Sequence, residues 1–367
     1  MQKVSVIGIG KLGLCFALTL ERAGYDVLGV DIFPDYVSAV NDRTLQSDEH
    51  NVEEYLQECT NLRATVDIQE AVEFSDYLYV VVATPSLPSG RYDHSQVDSV
   101  IEKLQALGPV QQKHFIVCCT TMPGYCDTAY GRLKDLGYTV SYNPEFIAQG
   151  TILRDQASPD TVLIGESDET VGSTIQEMYE KMTDNSPSFH RMARTEAEIC
   201  KISLNCFLTT KIAFANMVGD IANYSGVRPA PILKAIGSDT RIGQKYLGYG
   251  YGYGGPCFPR DNRALALFAG DVGIEALISK ASDESNKQHL DYQVSLFKLK
   301  NDVKEPVEFD YVTYKPESTM LVESQQLLFA QRLAEEGYEV ILNERTSVID
   351  EIKKIHGDLF TYKERKE

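Results

Sequence analysis

Two groups of residues in this 367-residue chain have the types and spacing to do chemistry. The first centres on Cys257, which follows Gly254 and Gly255 in the segment GYGYGYGGPCFPRDNRAL. Pro259 comes just after it, and proline suits the first position of a helix. A thiol at a helix start feels the positive end of the dipole, which favours the nucleophilic thiolate. Asp261 lies four residues on, inside the expected first turn, placed to act as a base or to pair with a cation. Taken alone, one cysteine after glycines is more often a structural residue. The second group is Gly8-Ile-Gly10-Lys11-Leu12-Gly13, directly after an apolar run and opening a helical one. Gly8 permits the tight turn, Gly10 lets backbone approach a pyrophosphate, and Gly13 allows close helix–strand packing. The free N–H groups of the helix start then hold the phosphates. Asp31, at the end of the next apolar run, is where a carboxylate binds both ribose hydroxyls and repels a 2′-phosphate. The expected cofactor is therefore NAD, not NADP.

These groups need a rigid frame, and the pattern of the chain supplies one. KVSVIGIG reads as a buried strand, KLGLCFALTLERAG as a helix ending at Gly24, and YDVLGVD as a second strand. DYLYVVVATP (76–85), FIVCCTT (115–121), YTVSYNP (138–144) and TVLIGE (161–166) are further apolar runs with helical stretches between several of them. Continuous apolar runs belong to parallel strands covered on both faces, so the fold class is α/β, a Rossmann-type doubly wound sheet. From 194 to Gly226 the sequence holds helical periodicity throughout. A helix this long bridges domains or packs against a second copy, and a two-fold homodimer is expected. The Gly/Tyr segment reads as a shaped loop, because tyrosines and prolines interrupt its glycines. From about 308 the tail predicts strand FDYVTY, helix TMLVESQQLLFAQRLAEEG, strand YEVILNE and helix SVIDEIKKIHG. The expected organisation is a 1–193 NAD-binding Rossmann domain, a 194–300 helical dimerisation region with the cysteine loop, and a reduced 301–367 α/β unit.

Composition narrows the function classes. Net charge is −18, which argues against nucleic-acid or anionic-membrane partners but leaves room for a phosphorylated ligand held by local donors. No apolar run nears the roughly 20 residues that span a bilayer, and the start lacks the pattern of a signal peptide, so a cytoplasmic location is expected. The eight cysteines show neither a disulfide framework nor zinc spacing, and histidines number six, so no metal site is expected.

Several segments, taken in order, carry a resemblance. They are Thr120-Thr121-Met122-Pro123, Tyr142-Asn143-Pro144-Glu145-Phe146-Ile147-Ala148-Gln149-Gly150, Glu198-Ile199-Cys200-Lys201 through Asn205, Asp239-Thr240-Arg241-Ile242-Gly243, and Gly254-Gly255-Pro256-Cys257-Phe258-Pro259-Arg260-Asp261. Together they resemble the UDP-glucose/GDP-mannose dehydrogenase family, over roughly residues 1–290. The resemblance implies oxidation of a nucleotide sugar at C6 by two hydride transfers to NAD, with Cys257 capturing the aldehyde and carrying a thioester to hydrolysis. UDP-glucose is the first-choice substrate, and the product a nucleotide-linked uronic acid for surface polysaccharide. Lys201 and Asn205, at i and i+4, share a helix face, and the resemblance aims them at the substrate oxygen. By the same likeness Asp261, Glu145 and Thr121 handle protons and the hydrolytic water. Thr84, Pro85, Thr121 and Gln149 join Gly8, Gly10, Lys11, Leu12, Gly13 and Asp31 at the cofactor. Glu145, Phe146, Lys201, Asn205, Arg241, Tyr249, Tyr251, Tyr253, Gly254, Gly255 and Lys315 are the substrate-binding candidates, with Arg241 reaching a neighbouring subunit.

Two departures bear on this. Gln149 stands where the family has a glutamate, and the tail is too short for the family's second Rossmann-like domain, with Val322 at the place of an arginine. Tyr314-Lys315-Pro316-Glu317-Ser318-Thr319 occupies the equivalent turn, where Lys315 and a helix capped by Ser318 or Thr319 are placed to receive a phosphate. Two other functions fit part of the pattern: a simple two-electron β-hydroxyacid-type dehydrogenase, which has no use for a loop thiol, and an NAD-binding homologue without turnover.

Overall fold

The apolar runs of the first half are short and rich in β-branched residues, and they form strands, joined by two less apolar segments. The strands are β1 (Lys3–Ile7), β2 (Asp26–Val30), β3 (Leu62–Thr65), β4 (Tyr77–Val80), β5 (Lys113–Val117), β6 (Tyr138–Tyr142), β7 (Thr161–Gly165) and β8 (Ser188–Met192). In the computed structural model, which describes residues 2–147, 150–316 and 318–365, they make one sheet ordered β3-β2-β1-β4-β5-β6-β7-β8. The pairings are parallel except between β6 and β7, where Tyr142 meets Gly165 antiparallel. Between the strands run α1 (Lys11–Arg22), α2 (Pro34–Asn41), α3 (Val52–Glu58), α4 (Ile68–Phe74), α5 (Ser95–Leu107), α6 (Tyr125–Leu133), α7 (Ile152–Ala157) and α8 (Glu169–Met182).

Alternation along each strand feeds two cores. Val4, Val6 and Tyr79 pack with Leu14 and Leu18 of α1, while Ile7, Leu78 and Val80 pack with Val97, Ile101 and Leu104 of α5. Burial on both faces explains why these strands are continuous apolar runs. β3 and β8 lack such a run, since Arg63, Ser188 and His190 are exposed, and only the structure reveals them. Strand order reverses between β1 and β4, and doubly wound sheets bind ligands beyond the carboxyl ends of strands at such a point.

The chain divides into two compact units, Met1–Lys201 and Ile202–Glu367. Helix α9 (Arg194–Tyr224) starts in the first and continues in the second; its 31 residues extend about 46 Å at 1.5 Å per residue. It stops just before Gly226, whose φ of 75° no longer continues a helix. The second unit adds α10 (Pro229–Gly237), α11 (Phe258–Asp271), α12 (Leu277–Lys300), β9 (Val307–Phe309), α13 (Gln325–Glu335), β10 (Val340–Glu344), α14 (Thr346–His356) and β11 (Thr361–Glu364). Its sheet is parallel and ordered β11-β10-β9, over a core that includes Val294, Phe309, Phe329, Leu333 and Leu342. Among the described residues, no helix is long and apolar enough to cross a membrane.

The tail corrects two expectations. The strand expected at FDYVTY pairs only through Val307–Phe309, and the helix expected from Thr319 begins at Gln325. The described residues between them are held by loop hydrogen bonds instead: Tyr314 N–H donates to Met320 O, Met320 N–H to Ser318 Oγ, and Ser324 N–H to Leu321 O. Glu323 has a φ of 48°, which a helix cannot include. Ser318 and Thr319 therefore cap no helix. Ser324 is the cap, accepting from Leu327 N–H at 3.3 Å and donating to Val312 O at 2.7 Å.

Candidate active site

In the first unit, the glycine turn leaves β1 at the switch point. A Cβ on Gly8, whose φ is 90°, would lie 2.8 Å from Val81 O, and one on Gly13 would lie 1.9 Å from Gly8 O. Both positions are closed to any side chain by helix and strand packing. Gly10 differs, because a Cβ there meets no protein atom within 4 Å. Gly10 is also the N-cap of α1 and brings no side-chain acceptor to the first N–H groups, those of Lys11, Leu12 and Gly13. An open approach in front of such donors fits a pyrophosphate. Asp31 follows β2 and accepts Phe33 N–H at 3.2 Å, which holds its carboxylate near the strand end. Lys11 directs its charge to Asp48 at 2.7 Å. Buried Thr84 donates to Thr120 O at 2.7 Å, so the turn after β4 is tied to the one after β5, with Pro85 exposed beside it. Gln149 lies outside the described residues.

Two adjacent strands of the same unit deliver Thr121 and Glu145. Glu145, after β6, accepts the Tyr179 hydroxyl at 3.0 Å. Its backbone carbonyl accepts Lys201 Nζ, which also sits 4.1 Å from the centre of the Phe146 ring. Loss of hydration pushes the Glu145 carboxyl up to about 7, against the downward pull of the Tyr179 hydrogen bond and the Lys201 charge. A carboxylate of that pKa is matched to proton transfer near neutrality. Thr121, fully buried, donates to Glu198 Oε1 at 2.8 Å. The same carboxylate accepts Cys126 N–H at 2.9 Å and Gly124 N–H at 2.7 Å, so Glu198 of α9 closes the start of α6. Burial raises the Glu198 carboxyl, and those hydrogen bonds oppose the rise. His94 accepts Met122 N–H at 3.1 Å through Nε2 and stacks on Tyr125. Burial lowers its pKa, in keeping with a neutral ring that must accept.

In the second unit, Cys257 is the N-cap of α11 and its side chain is exposed. Phe258 takes the first helical position and Pro259 the second, one later than expected. Asp261 N–H closes the first turn onto Cys257 O at 2.8 Å. The Asp261 side chain is buried and accepts Asn205 Nδ2 at 2.7 Å.

The loop ahead of Cys257 is strapped down. Tyr249 donates its hydroxyl to Asp220 at 3.0 Å, Tyr253 donates to Asp283, and the Tyr251 ring meets Phe329 edge-on. Asn286 both accepts Tyr253 N–H and donates to Tyr253 O, each at 2.9 Å, while Asn216 accepts Gly250 N–H at 3.1 Å. His289 bridges Asp220 and Gly250 O at 2.7 and 2.8 Å. The hydroxyls of Tyr249 and Tyr253 thus serve the loop's own conformation. Gly255 donates to Val322 O at 2.9 Å, and a Cβ on Gly254 would fall 2.2 Å from Glu323 O. Arg263 grips Glu323 with two 2.7 Å bonds, so the tail braces the cysteine loop. Lys315 lies in the turn after β9, where its carbonyl accepts Thr313 Oγ1 and Ser318 N–H. Arg241 is exposed and forks onto Asp239 at 2.7 and 3.0 Å.

Glu198, Asp283 and Asn286 were not among the expected site residues. Glu198 opens the segment that holds Lys201 and Asn205 and stands three residues before Lys201 on one helix face, which was the signal for it in the sequence.

The family model described as the NAD binding domain of the UDP-glucose/GDP-mannose dehydrogenase family matches residues 2–183, and the model of that family's central domain matches 195–288. The UDP-glucose 6-dehydrogenase AglM of Haloferax volcanii is 29% identical over 93% of this chain and 82% of its own length. GDP-mannose 6-dehydrogenase of Pseudomonas putida is 27% identical over 100% of this chain and 85% of its own. The structure of a UDP-glucose dehydrogenase from the hyperthermophilic archaeon Pyrobaculum islandicum superimposes with a TM-score of 0.88 at 30% identity, covering 100% of this chain and 86% of that one.

Proposed function

We propose, from the premise that this chain belongs to the UDP-glucose/GDP-mannose dehydrogenase family, that it oxidises the C6 alcohol of a nucleotide sugar to a carboxylate with Cys257 as covalent nucleophile. The chain is an NAD-dependent oxidoreductase. NAD, bound by Gly8, Gly10, Gly13, the first N–H groups of α1 and Asp31, with Thr84, Pro85 and Gln149 completing its contacts, supplies hydride acceptance at each oxidation. The Lys201 ammonium and Asn205 amide stabilise negative charge on the substrate oxygen. The Cys257 sulfur adds to the C6 aldehyde carbon, and the carbonyl oxygen takes a proton to give a thiohemiacetal. Oxidation of that adduct leaves a thioester. Water then adds to the thioester carbonyl and the C–S bond breaks, releasing the carboxylate and returning the thiol. Glu145 takes the water's proton, Thr121 orients that water, and Asp261 passes protons at the sulfur side.

The observation that carries this reading is the exposed thiol at the N-cap of α11, one turn ahead of a buried Asp261 held by Asn205. UDP-glucose is the first substrate to test, on the likeness to the Pyrobaculum islandicum enzyme. Residues 1–193 serve the cofactor, 194–300 dimerisation and the cysteine loop, and 301–367 the nucleotide, with Lys315 at a phosphate and the loop tyrosines shaping the sugar side. The homodimer forms on α9, whose Phe207, Phe214, Met217 and Ile221 are exposed on one face, and Arg241 reaches the partner's substrate. The working compartment is the cytoplasm.

The test is NADH yield per sugar nucleotide across a panel, with wild type and Cys257→Ser. Two NADH per sugar, lost or arrested early in the variant, is the expected result. One NADH with an indifferent variant would establish a simple two-electron dehydrogenase. NAD binding without any NADH would establish a non-catalytic homologue.

A further inference from the structure

The second unit brackets its exposed thiol from both sides with one residue of the tail. Ahead of Cys257, Gly255 N–H donates to Val322 O at 2.9 Å, and a Cβ on Gly254 would fall 2.2 Å from Glu323 O. Tyr314 covers Gly255 so closely that a Cβ there would lie 2.6 Å from its ring. Beyond Cys257, Arg263 of α11 forks onto the Glu323 carboxylate with two bonds of 2.7 Å. The Arg263 Nε also stands 3.9 Å from Asp283, which accepts the Tyr253 hydroxyl and Asn262 Nδ2. Glu323 thus meets the chain just before the nucleophile through its carbonyl and just after it through its carboxylate. Its backbone has a φ of 48°, a left-handed conformation that asparagine and glycine adopt far more readily than glutamate. Residues held in this way gather at functional sites. Both partners of the pair are partly exposed, with side chains 46% and 39% accessible, and exposed pairs add little net stability. Stability alone therefore does not account for a glutamate at this position.

We propose that Glu323 is a positioning residue for Cys257: by gripping Arg263 and backing Gly254 it fixes where the thiol at the N-cap of α11 stands, so that the sulfur captures the C6 aldehyde before the aldehyde escapes. Capture forms a C–S bond from the sulfur lone pair, and the carbonyl oxygen takes the proton that the thiol gives up; nothing is oxidised in this step. The sulfur must meet the carbonyl carbon in an aligned approach at about 3–3.5 Å, and such steps are sensitive to small misplacements. Without the fork, the thiol keeps its chemistry but occupies a wider range of positions. The first hydride transfer precedes capture and is left alone, while the free aldehyde gains time to leave. The assignment rests on the thioester reading above and concerns its capture step.

The experiment compares wild type, Glu323→Asn, Glu323→Gln and Arg263→Lys with a sugar nucleotide that wild type oxidises. NADH per sugar, free aldehyde trapped by semicarbazide, kcat, KM and melting temperature are read together. Asparagine suits the left-handed backbone but is shorter and uncharged, so Glu323→Asn keeps the turn and removes the fork. Its melting temperature should stay within about 2 °C of wild type, as expected for an exposed pair. Its kcat should fall about 10- to 100-fold with KM within about threefold, the scale of a misplaced reacting group. NADH per sugar should drop from two toward one, with trapped aldehyde making up the difference. Glu323→Gln keeps one accepting oxygen and should lie between. Arg263→Lys, which keeps the charge without the fork, should leak aldehyde as Glu323→Asn does. Unchanged kcat and no released aldehyde in Glu323→Asn would reduce the pair to a surface ion pair. Turnover lost together with melting temperature, at two NADH per sugar, would overturn the assignment in favour of a structural brace. Should Glu323→Asn not fold, Glu323→Gln is judged by the same aldehyde. A wild type that makes one NADH per sugar, with Cys257→Ser indifferent, defeats the thioester reading itself, which separates that failure from this one.

Discussion

Substituting Glu145 by Gln separates stability from catalysis with a sign that the structure sets. Burial pushes the Glu145 carboxyl up to about 7 from an ordinary 4.5. An acid whose folded pKa is raised costs the fold nothing while protonated and progressively more as it ionises. The penalty is absent below the unfolded pKa, grows between about 4.5 and 7, and is constant above. At about 1.4 kcal/mol per pKa unit the full penalty is about 3 kcal/mol. Glutamine keeps the shape and can still accept the Tyr179 hydroxyl that Glu145 accepts, but it never ionises. Glu145→Gln should therefore match wild type near pH 4.5 and exceed it by up to about 3 kcal/mol at pH 8. That is roughly 6–12 °C in the melting temperature of a unit of this size.

Activity should move the opposite way. With the base removed, hydrolysis of the Cys257 thioester should slow by about 10²- to 10⁴-fold, while the first NADH burst survives. In wild type the hydrolytic rate should rise with pH through about 7, where the base ionises. Differential scanning calorimetry of both proteins from pH 4.5 to 8.5, with quench-flow at each pH, measures both trends. A stability difference that stays flat over this range would refute the buried, raised carboxyl. A variant that hydrolyses the adduct at the wild-type rate would refute its role as base.

The glycine turn separates folding from cofactor binding. Gly13→Ala forces a Cβ to within 1.9 Å of Gly8 O and should cost several kcal/mol in a urea melt, whereas Gly10→Ala, which meets no protein atom within 4 Å, should leave stability within about 0.5 kcal/mol and weaken NAD at least tenfold by calorimetry. His94, with its pKa lowered by burial, contributes stability that is complete above the unfolded value of about 6.5 and is lost as pH falls through the folded one. Melting temperatures of His94→Gln should accordingly lose this acid-side decline. Charging the exposed face of α9 with the pair Phe214→Glu and Ile221→Glu should turn a sedimenting dimer into a monomer without lowering the melting temperature of the first unit; an unchanged sedimentation coefficient would remove this face from the interface.

What was legible in the sequence followed from short-range constraints. β1, β4 and β5 were visible because burial on both faces demands an unbroken apolar run, and α9 because its period persists for 31 residues. β3 and β8 pair at or near the edges of the sheet with one polar face, where no such demand acts. The start of α13 was misplaced for a related reason. TMLVES has helix-compatible residues, yet Glu323 sits at φ 48° so that its carboxylate can meet Arg263 and its carbonyl can pack on Gly254. That conformation is selected by a loop some 65 residues earlier, and no local propensity contains it.

The site divides along the same line. Gly8 and Gly13 were legible because a turn and a packing contact must follow one another at set distances within one strand–helix unit. Glu198 was not, because spacing shows only that it shares a face with Lys201. Its meaning lies in what that face meets: the hydroxyl of Thr121 and two N–H groups at the start of α6, more than seventy residues away. Burying a carboxylate is unfavourable unless donors replace its lost water. Three donors on one acceptor are thus the physical reason a charge is tolerated there, and a hydrophobic residue of equal volume would leave both backbone groups unsatisfied. The same shortage of alternatives fixes the Thr121 hydroxyl as donor to Glu198.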